Sequence, residues 1–163
     1  EVISRLSPFR CRRMVYDPVV PADVIRNAGC EPVDFNTLLT QSDILTLHCP
    51  STAQTRRMLN AESIPQMKPG AIVVNLARGD LIETSALVKA LQTGHLSAAA
   101  IDVCDPEPIP ADSPLRQLPN VIVASHVASA SVKAVRKLRE TAAGLAAMAL
   151  RGEKLPNVVN GVG

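Results

Sequence analysis

Apolar residues recur along this chain in two alternating patterns. Short, nearly continuous runs rich in β-branched residues read as buried strands, and runs spaced three to four apart read as helices. Val2, Ile3 and Leu6 place the end of an amphipathic helix at 1–8. Strand-like segments follow at 13–16, 43–48, 71–76, 98–103 and 121–124. Ile44, Leu45 and Leu47 are so close together that 43–48 reads as a strand buried on both faces. Helices are expected at 21–27 with Gly29 as the stop, at 35–40, and at 84–93 closed by Gly94. The longest is Val132–Leu150, with Val135, Leu138, Ala142, Leu145 and Ala149 on one stripe. Lys68-Pro69-Gly70 marks a turn, a proline-rich loop fills 106–119, and 155–160 reads as an isolated extended piece. Strands alternating with helices predict an α/β fold built on a parallel sheet.

Composition narrows the function classes. A chain of 163 residues is the size of one compact domain, and 47% hydrophobic against 20% charged residues excludes disorder. A net charge of +2 and only three aromatic residues, Phe9, Tyr16 and Phe35, argue against a nucleic-acid partner. No run reaches the roughly 18 apolar residues of a membrane span, so no membrane partner is expected. Cysteines 11, 30, 49 and 104 are scattered without a Cys-x-x-Cys pair, which suits reduced thiols in a cytoplasmic protein. The chain opens at Glu1 with neither Met nor a signal pattern, as an internal segment would.

In an open parallel sheet, ligands sit beyond the carboxyl ends of the strands. The predicted strands here are followed by Asp17, by His48-Cys49-Pro50-Ser51-Thr52, by Asn75-Leu76-Ala77-Arg78-Gly79, by Asp102 through Glu107, and by Ser125-His126. Five polar strand ends on one rim imply a site. Asp17 suits hydrogen bonds to the ribose of a dinucleotide, and equally suits a solvated turn before Pro18. An acid there repels a 2′-phosphate and favours NAD over NADP, although Arg10, Arg12 and Arg13 soften that preference. Arg78 can hold a carboxylate in a two-pronged bond, or can be an ordinary surface arginine. A lone His126 is commonly structural, but a carboxylate such as Glu107 beside it would make a proton donor usable near neutral pH. No metal is expected, because His48, His95 and His126 lack ligand spacing. Asp102 and Asp105 disfavour a Cys104 thiolate nucleophile.

The segments VYDP, HCPST, VVNLARGDLIE, AAAIDVCDPEP and ASHVAS, in this order and spacing, resemble the motifs of the D-isomer-specific 2-hydroxyacid dehydrogenases from Arg5 to Asn160. The resemblance implies a Rossmann-type doubly wound parallel sheet, incomplete at the N-terminus, where the family's first strand and glycine-rich loop would precede Glu1. It implies an NAD-binding domain over 1–150 and a tail, 151–163, belonging to an otherwise absent substrate domain. It makes Arg78 the substrate-binding arginine, Glu107 the acid paired with the catalytic histidine, and His126 the acid/base. Asp17 would hold the adenosine ribose, His48, Cys49, Pro50, Thr52 and Ala77 would line the dinucleotide with Arg78 and His126 beside it, and Asp102 would sit near the nicotinamide carboxamide. The implied activity is hydride transfer between NAD(H) and a small 2-oxo or 2-hydroxy acid, in a homodimer. Glyoxylate, hydroxypyruvate and phosphoglycerate stay open as substrates, and residues 1–163 by themselves are expected to be inactive. Ser125 stands where the family usually has Pro, and Ser129 where it usually has Gly. The alternative is an NAD(H)-sensing interaction module like the dehydrogenase-like transcriptional corepressors, which keep the same three residues.

Overall fold

The computed structural model describes residues 1–156 and 158. It forms two compact units, Glu1–Ser125 and His126–Gly163. The first holds every strand among the described residues. In chain order these are β1 (Met14–Val15), β2 (Glu31–Pro32), β3 (Ile44–Leu47), β4 (Ala71–Asn75), β5 (Leu96–Ile101) and β6 (Val121–Val123). Its helices are α1 (Val2–Leu6), α2 (Ala22–Asn27), α3 (Phe35–Gln41) and α4 (Thr84–Gln92). All strand pairs are parallel: β1 with β2 in one small sheet, and β3-β4-β5-β6 in a second. Strand, helix and parallel strand in succession make this the parallel-sheet α/β fold that the sequence pattern predicts, of the Rossmann type that the resemblance implies.

Local chemistry explains where the helices start and stop. Asp34 caps α3, its Oδ1 accepting from the Thr37 amide at 2.7 Å and its Oδ2 from the Thr37 hydroxyl at 2.9 Å. Those bonds, the amide first, hold the Asp34 carboxyl below its ordinary range. Gly94, at φ +74°, supplies the left-handed residue just after α4. On α4, Ala86, Leu87, Ala90 and Leu91 are buried, one stripe of a helix laid on the core. That core gathers Leu39, Leu59, Ile64, Val73, Leu81, Leu87 and Leu96, each at most 2% exposed. Truncating a leucine of this kind to Ala costs about 2–5 kcal/mol.

One expectation needs correction, and one strand was not expected. Strand β3 is buried on one face only, with Leu45 and Leu47 inside and Ile44 62% exposed. It is an edge strand, paired only with β4 among the described residues, and its second face carries the exposed Ile44 and the half-buried Thr46. Strand β2 has no counterpart in the apolar pattern, because Glu31-Pro32 offers neither an apolar run nor a second ladder donor. Its pairing rests on the flanking amides, Glu31 N to Arg13 O at 2.8 Å and Val33 N to Val15 O at 3.0 Å.

The second unit consists of a turn and α5 (Val132–Leu150), capped by Ser131 Oγ accepting from the Ala134 amide at 3.1 Å. No residue of α5 is buried, so its apolar stripe is a surface feature here. Of the expected extended piece at 155–160, positions 157, 159 and 160 lie outside the described residues.

Candidate active site

The strand register fixes the geometry of the rim. Leu47 pairs with Asn75, Asn75 with Ile101, and Ile101 with Val123, forming one straight row across the four-stranded sheet. Because all four strands run the same way, the chain leaves the sheet along this row. At about 4.8 Å per strand, the departure points span about 14 Å. His48, the Ala77–Arg78 turn and Asp102 all follow directly from it.

The turn after β4 is held rigidly. Asn75 is only 1% exposed, and its Oδ1 accepts from the Ala77 amide at 3.0 Å while its Nδ2 donates to the Arg78 carbonyl at 2.8 Å. The backbone oxygen of Asn75 accepts from the Asp102 amide at 3.0 Å, so the β4 and β5 exits are tied together. Arg78 is exposed, and its Nη1 donates to the Ala77 carbonyl at 2.6 Å. It forms no ion pair among the described residues, which leaves its guanidinium able to receive an anion.

The loop after β5 docks onto that turn. Gly79 lies so close to it that a Cβ built on the glycine would stand 2.0 Å from the Cys104 carbonyl oxygen. Thr84 Oγ1 donates to the Asp105 carbonyl at 3.0 Å and anchors the loop from α4. Asp102 is buried, Cys104 half-buried and Glu107 exposed. Burial pushes the Cys104 thiol above its ordinary pKa, and the charges of Glu107 and then Asp102 raise it further. The expected resistance of Cys104 to forming a thiolate thus comes first from burial and then from Glu107 and Asp102, and not from Asp105.

The loop after β3 is laced to the same region. His48 Nε2 shares a hydrogen bond with Thr46 Oγ1 at 3.0 Å, Pro50 O accepts from Thr55 Oγ1 at 2.7 Å, and the Thr52 amide donates to Thr55 Oγ1 at 2.8 Å. Ser51 Oγ donates to Asp80 Oδ2 at 2.6 Å, and Arg56 pairs with the same oxygen at 3.4 Å. Asp80 thus joins this loop to the Arg78 turn, a link that no spacing rule in the sequence reveals. Cys49 Sγ packs 3.7 Å from Met58 Sδ. Burial pushes its thiol up, its own backbone pulls it down, and the charge of Asp17 adds a smaller upward push. Asp17 follows β1, which lies in a different sheet from β3. Its Oδ1 accepts from the Val19 and Val20 amides at 2.9 and 3.1 Å, while Oδ2 takes no hydrogen bond among the described residues.

His126 opens the second unit. It is exposed and holds φ +57°, a left-handed conformation that costs a non-glycine residue about 1 kcal/mol or more. Backbone strain of this kind clusters at functional sites, and His126 has it where the sequence expects an acid/base. No cluster of three or more His, Cys, Asp or Glu side chains among the described residues is placed to hold a metal ion, and no helix is long and apolar enough to cross a membrane.

Parallel sheets with a carboxylate after a strand of the small one, and an arginine and a buried acid at the strand ends of the large one, are features of a dinucleotide-binding α/β domain. The chain belongs to the D-isomer specific 2-hydroxyacid dehydrogenases, whose NAD binding domain matches residues 1–128. It is 41% identical over 160 residues to a glyoxylate reductase of Thermofilum pendens, covering 96% of this chain and 47% of that protein. It is also 41% identical over 161 residues to a D-3-phosphoglycerate dehydrogenase of Methanocaldococcus jannaschii, covering 98% of this chain and 30% of that protein. The crystal structure of D-lactate dehydrogenase with NAD+ from Lactobacillus jensenii superposes with a TM-score of 0.87 at 31% identity, over 98% of this chain and 51% of that one. The chain spans about half the length, or less, of the relatives it matches.

Proposed function

We propose that the protein carrying this chain is an NAD-dependent oxidoreductase that interconverts a small D-2-hydroxy acid and its 2-oxo acid. The observation that carries this reading is the rim itself, where an exposed guanidinium without an ion-pair partner among the described residues stands on a braced turn beside a buried acid. The residues present fit the two ends of NAD. Asp17 Oδ2 is available to a ribose hydroxyl, with Oδ1 already saturated by two turn amides. His48, Cys49, Pro50, Thr52 and Ala77 would line the dinucleotide, and Asp102 would meet the nicotinamide carboxamide. The pyrophosphate cradle is a separate matter, since these 163 residues contain no Gly-x-Gly-x-x-Gly loop.

When bound, NADH supplies a hydride to C2 of the 2-oxo acid. Arg78 holds the substrate carboxylate in a two-pronged bond and polarises the 2-oxo group. His126 donates a proton to the oxygen on C2 as it gains charge, and takes it back in the oxidative direction. Glu107 is assigned to the histidine as the acid that fixes its tautomer. We propose further that the protein works in the cytoplasm as a homodimer. The relatives named above are reductases and dehydrogenases, and no observation favours the interaction-module alternative.

The test is a pair of variants of the full-length protein. His126→Ala lowers turnover by about 10²–10⁴-fold, the range of general acid catalysis, with NADH affinity unchanged. Arg78→Ala raises KM and lowers kcat together, because the arginine meets substrate in both ground and transition states. Near-normal turnover in both variants refutes the assignment and makes the interaction module the better reading.

A further inference from the structure

Asn75 is out of keeping with its row. Its register mates are Leu47, Ile101 and, one strand further, Val123, and an apolar residue would pack there at no polar cost. Asparagine is disfavoured in strands, and an amide is buried without penalty only when its donors and acceptors are satisfied. Asn75 is the most buried polar residue among those described, at 1% exposure. Its two side-chain bonds both go to the next turn, one to the Ala77 amide and one to the Arg78 carbonyl. From the other side, Gly79 rests directly on the Cys104 carbonyl. The backbone of Arg78 is therefore gripped on both flanks, by a side-chain amide before it and by a backbone contact after it.

We infer that Asn75 is a positioning residue for Arg78, its carboxamide setting the turn that presents the guanidinium to the substrate carboxylate. The inference rests on the reading of Arg78 given above. A carboxamide is suited to this task because it carries an acceptor and a donor at once. The acceptor holds an N–H two residues on, and the donor holds a C=O three residues on. Neither serine nor an ionised aspartate offers both at that reach. Loss of the grip lets the Arg78 backbone drift, and a misplacement of about 1 Å in a substrate-positioning group lowers rate on the order of 10²-fold.

The experiment compares Asn75→Ala, Asn75→Asp, Arg78→Ala and the double variant Asn75→Ala/Arg78→Ala in the full-length protein. Melting temperature, NADH affinity and the separate kcat and KM for a 2-oxo acid are measured for each. Asn75→Ala is expected to lower kcat/KM on the order of 10²-fold in the same pattern as Arg78→Ala, and the double variant to be no worse than Arg78→Ala alone. Asn75→Asp keeps the acceptor for Ala77 and loses the donor for Arg78. It should hold NADH affinity while losing kcat/KM, and should recover activity relative to the wild type as pH falls, because a protonated carboxyl can donate to the Arg78 carbonyl. If Arg78→Ala is itself without effect, the assignment of Arg78 fails and this inference with it. If Arg78→Ala is impaired but the Asn75 defect is absent or multiplies with it, the inference alone is overturned. Failure of both Asn75 variants to fold overturns it as well, since Asn75 would then hold the sheet and not the arginine.

Discussion

Replacing Gly79 by Ala tests the docking of the two rim loops with a single methyl group. The added Cβ would lie 2.0 Å from the Cys104 carbonyl oxygen, 2.1 Å from its carbonyl carbon and 2.8 Å from the Asp105 nitrogen. Carbon and oxygen are comfortable near 3.5 Å, so the two backbones must part by more than about 1 Å. No side chain can rotate out of the way, because every atom met is main chain. Neither loop yields easily, since Thr84 holds the Asp105 carbonyl at 3.0 Å and Asn75 holds the Arg78 carbonyl at 2.8 Å. Overpacking of this kind costs about 1–3 kcal/mol. For a domain of this size that lowers Tm by about 2–12 °C. The kinetic effect should be larger than the stability effect, because the displaced residue follows Arg78 directly and kcat/KM falls on the order of 10²-fold. Circular-dichroism melts and NADH-absorbance kinetics on full-length Gly79→Ala measure both quantities. A variant with wild-type Tm and wild-type kcat/KM would refute the close approach and the rigid coupling drawn from it.

Other perturbations probe the remaining strand ends. Asp17→Ala should narrow the preference for NADH over NADPH, because it removes the charge that repels a 2′-phosphate. An unchanged ratio of kcat/KM for the two cofactors would assign selection to Arg10, Arg12 and Arg13. The Cys104 thiol is raised first by burial and then by Glu107. Glu107→Gln therefore lowers it toward the ordinary range, increases the thiolate fraction at pH 8 and speeds alkylation of Cys104 by iodoacetamide, read by mass spectrometry. An unaltered rate would mean that Glu107 does not face the thiol.

Much of the fold was legible because burial leaves a local trace. Ile72, Val73 and Val74 announce β4, and Ala86, Leu87, Ala90 and Leu91 announce the buried face of α4. The short pairing of β1 with β2 left none, because it runs through amides that flank a proline and has no apolar signature. The one-sided burial of β3 was equally hidden, since its composition is that of a central strand and only its place at the sheet edge exposes Ile44. The candidate residues were found from the strand ends and the motif order, which needed no contact between distant segments. What holds them could not be read the same way. The grip on Arg78 involves Gly79 against Cys104, 25 positions apart, and Ser51 with Asp80, 29 apart, and nothing local in either segment encodes its partner.

The straight row of Leu47, Asn75, Ile101 and Val123 restricts which changes of length this domain can absorb. Inserting or deleting one residue within β4 slides its exit by about 3.3 Å and turns Asn75 to the opposite face of the sheet, away from the turn it braces. An equal change in 106–119, beyond Glu107, leaves every exit in register, and even doubling a flexible loop adds only about 0.6 kcal/mol in closure entropy. Insertions and deletions are thereby channelled into the outer arcs of the loops. The alignment of the strand exits acts as a fixed datum, and the surface around it can lengthen or shorten while the exits keep their spacing.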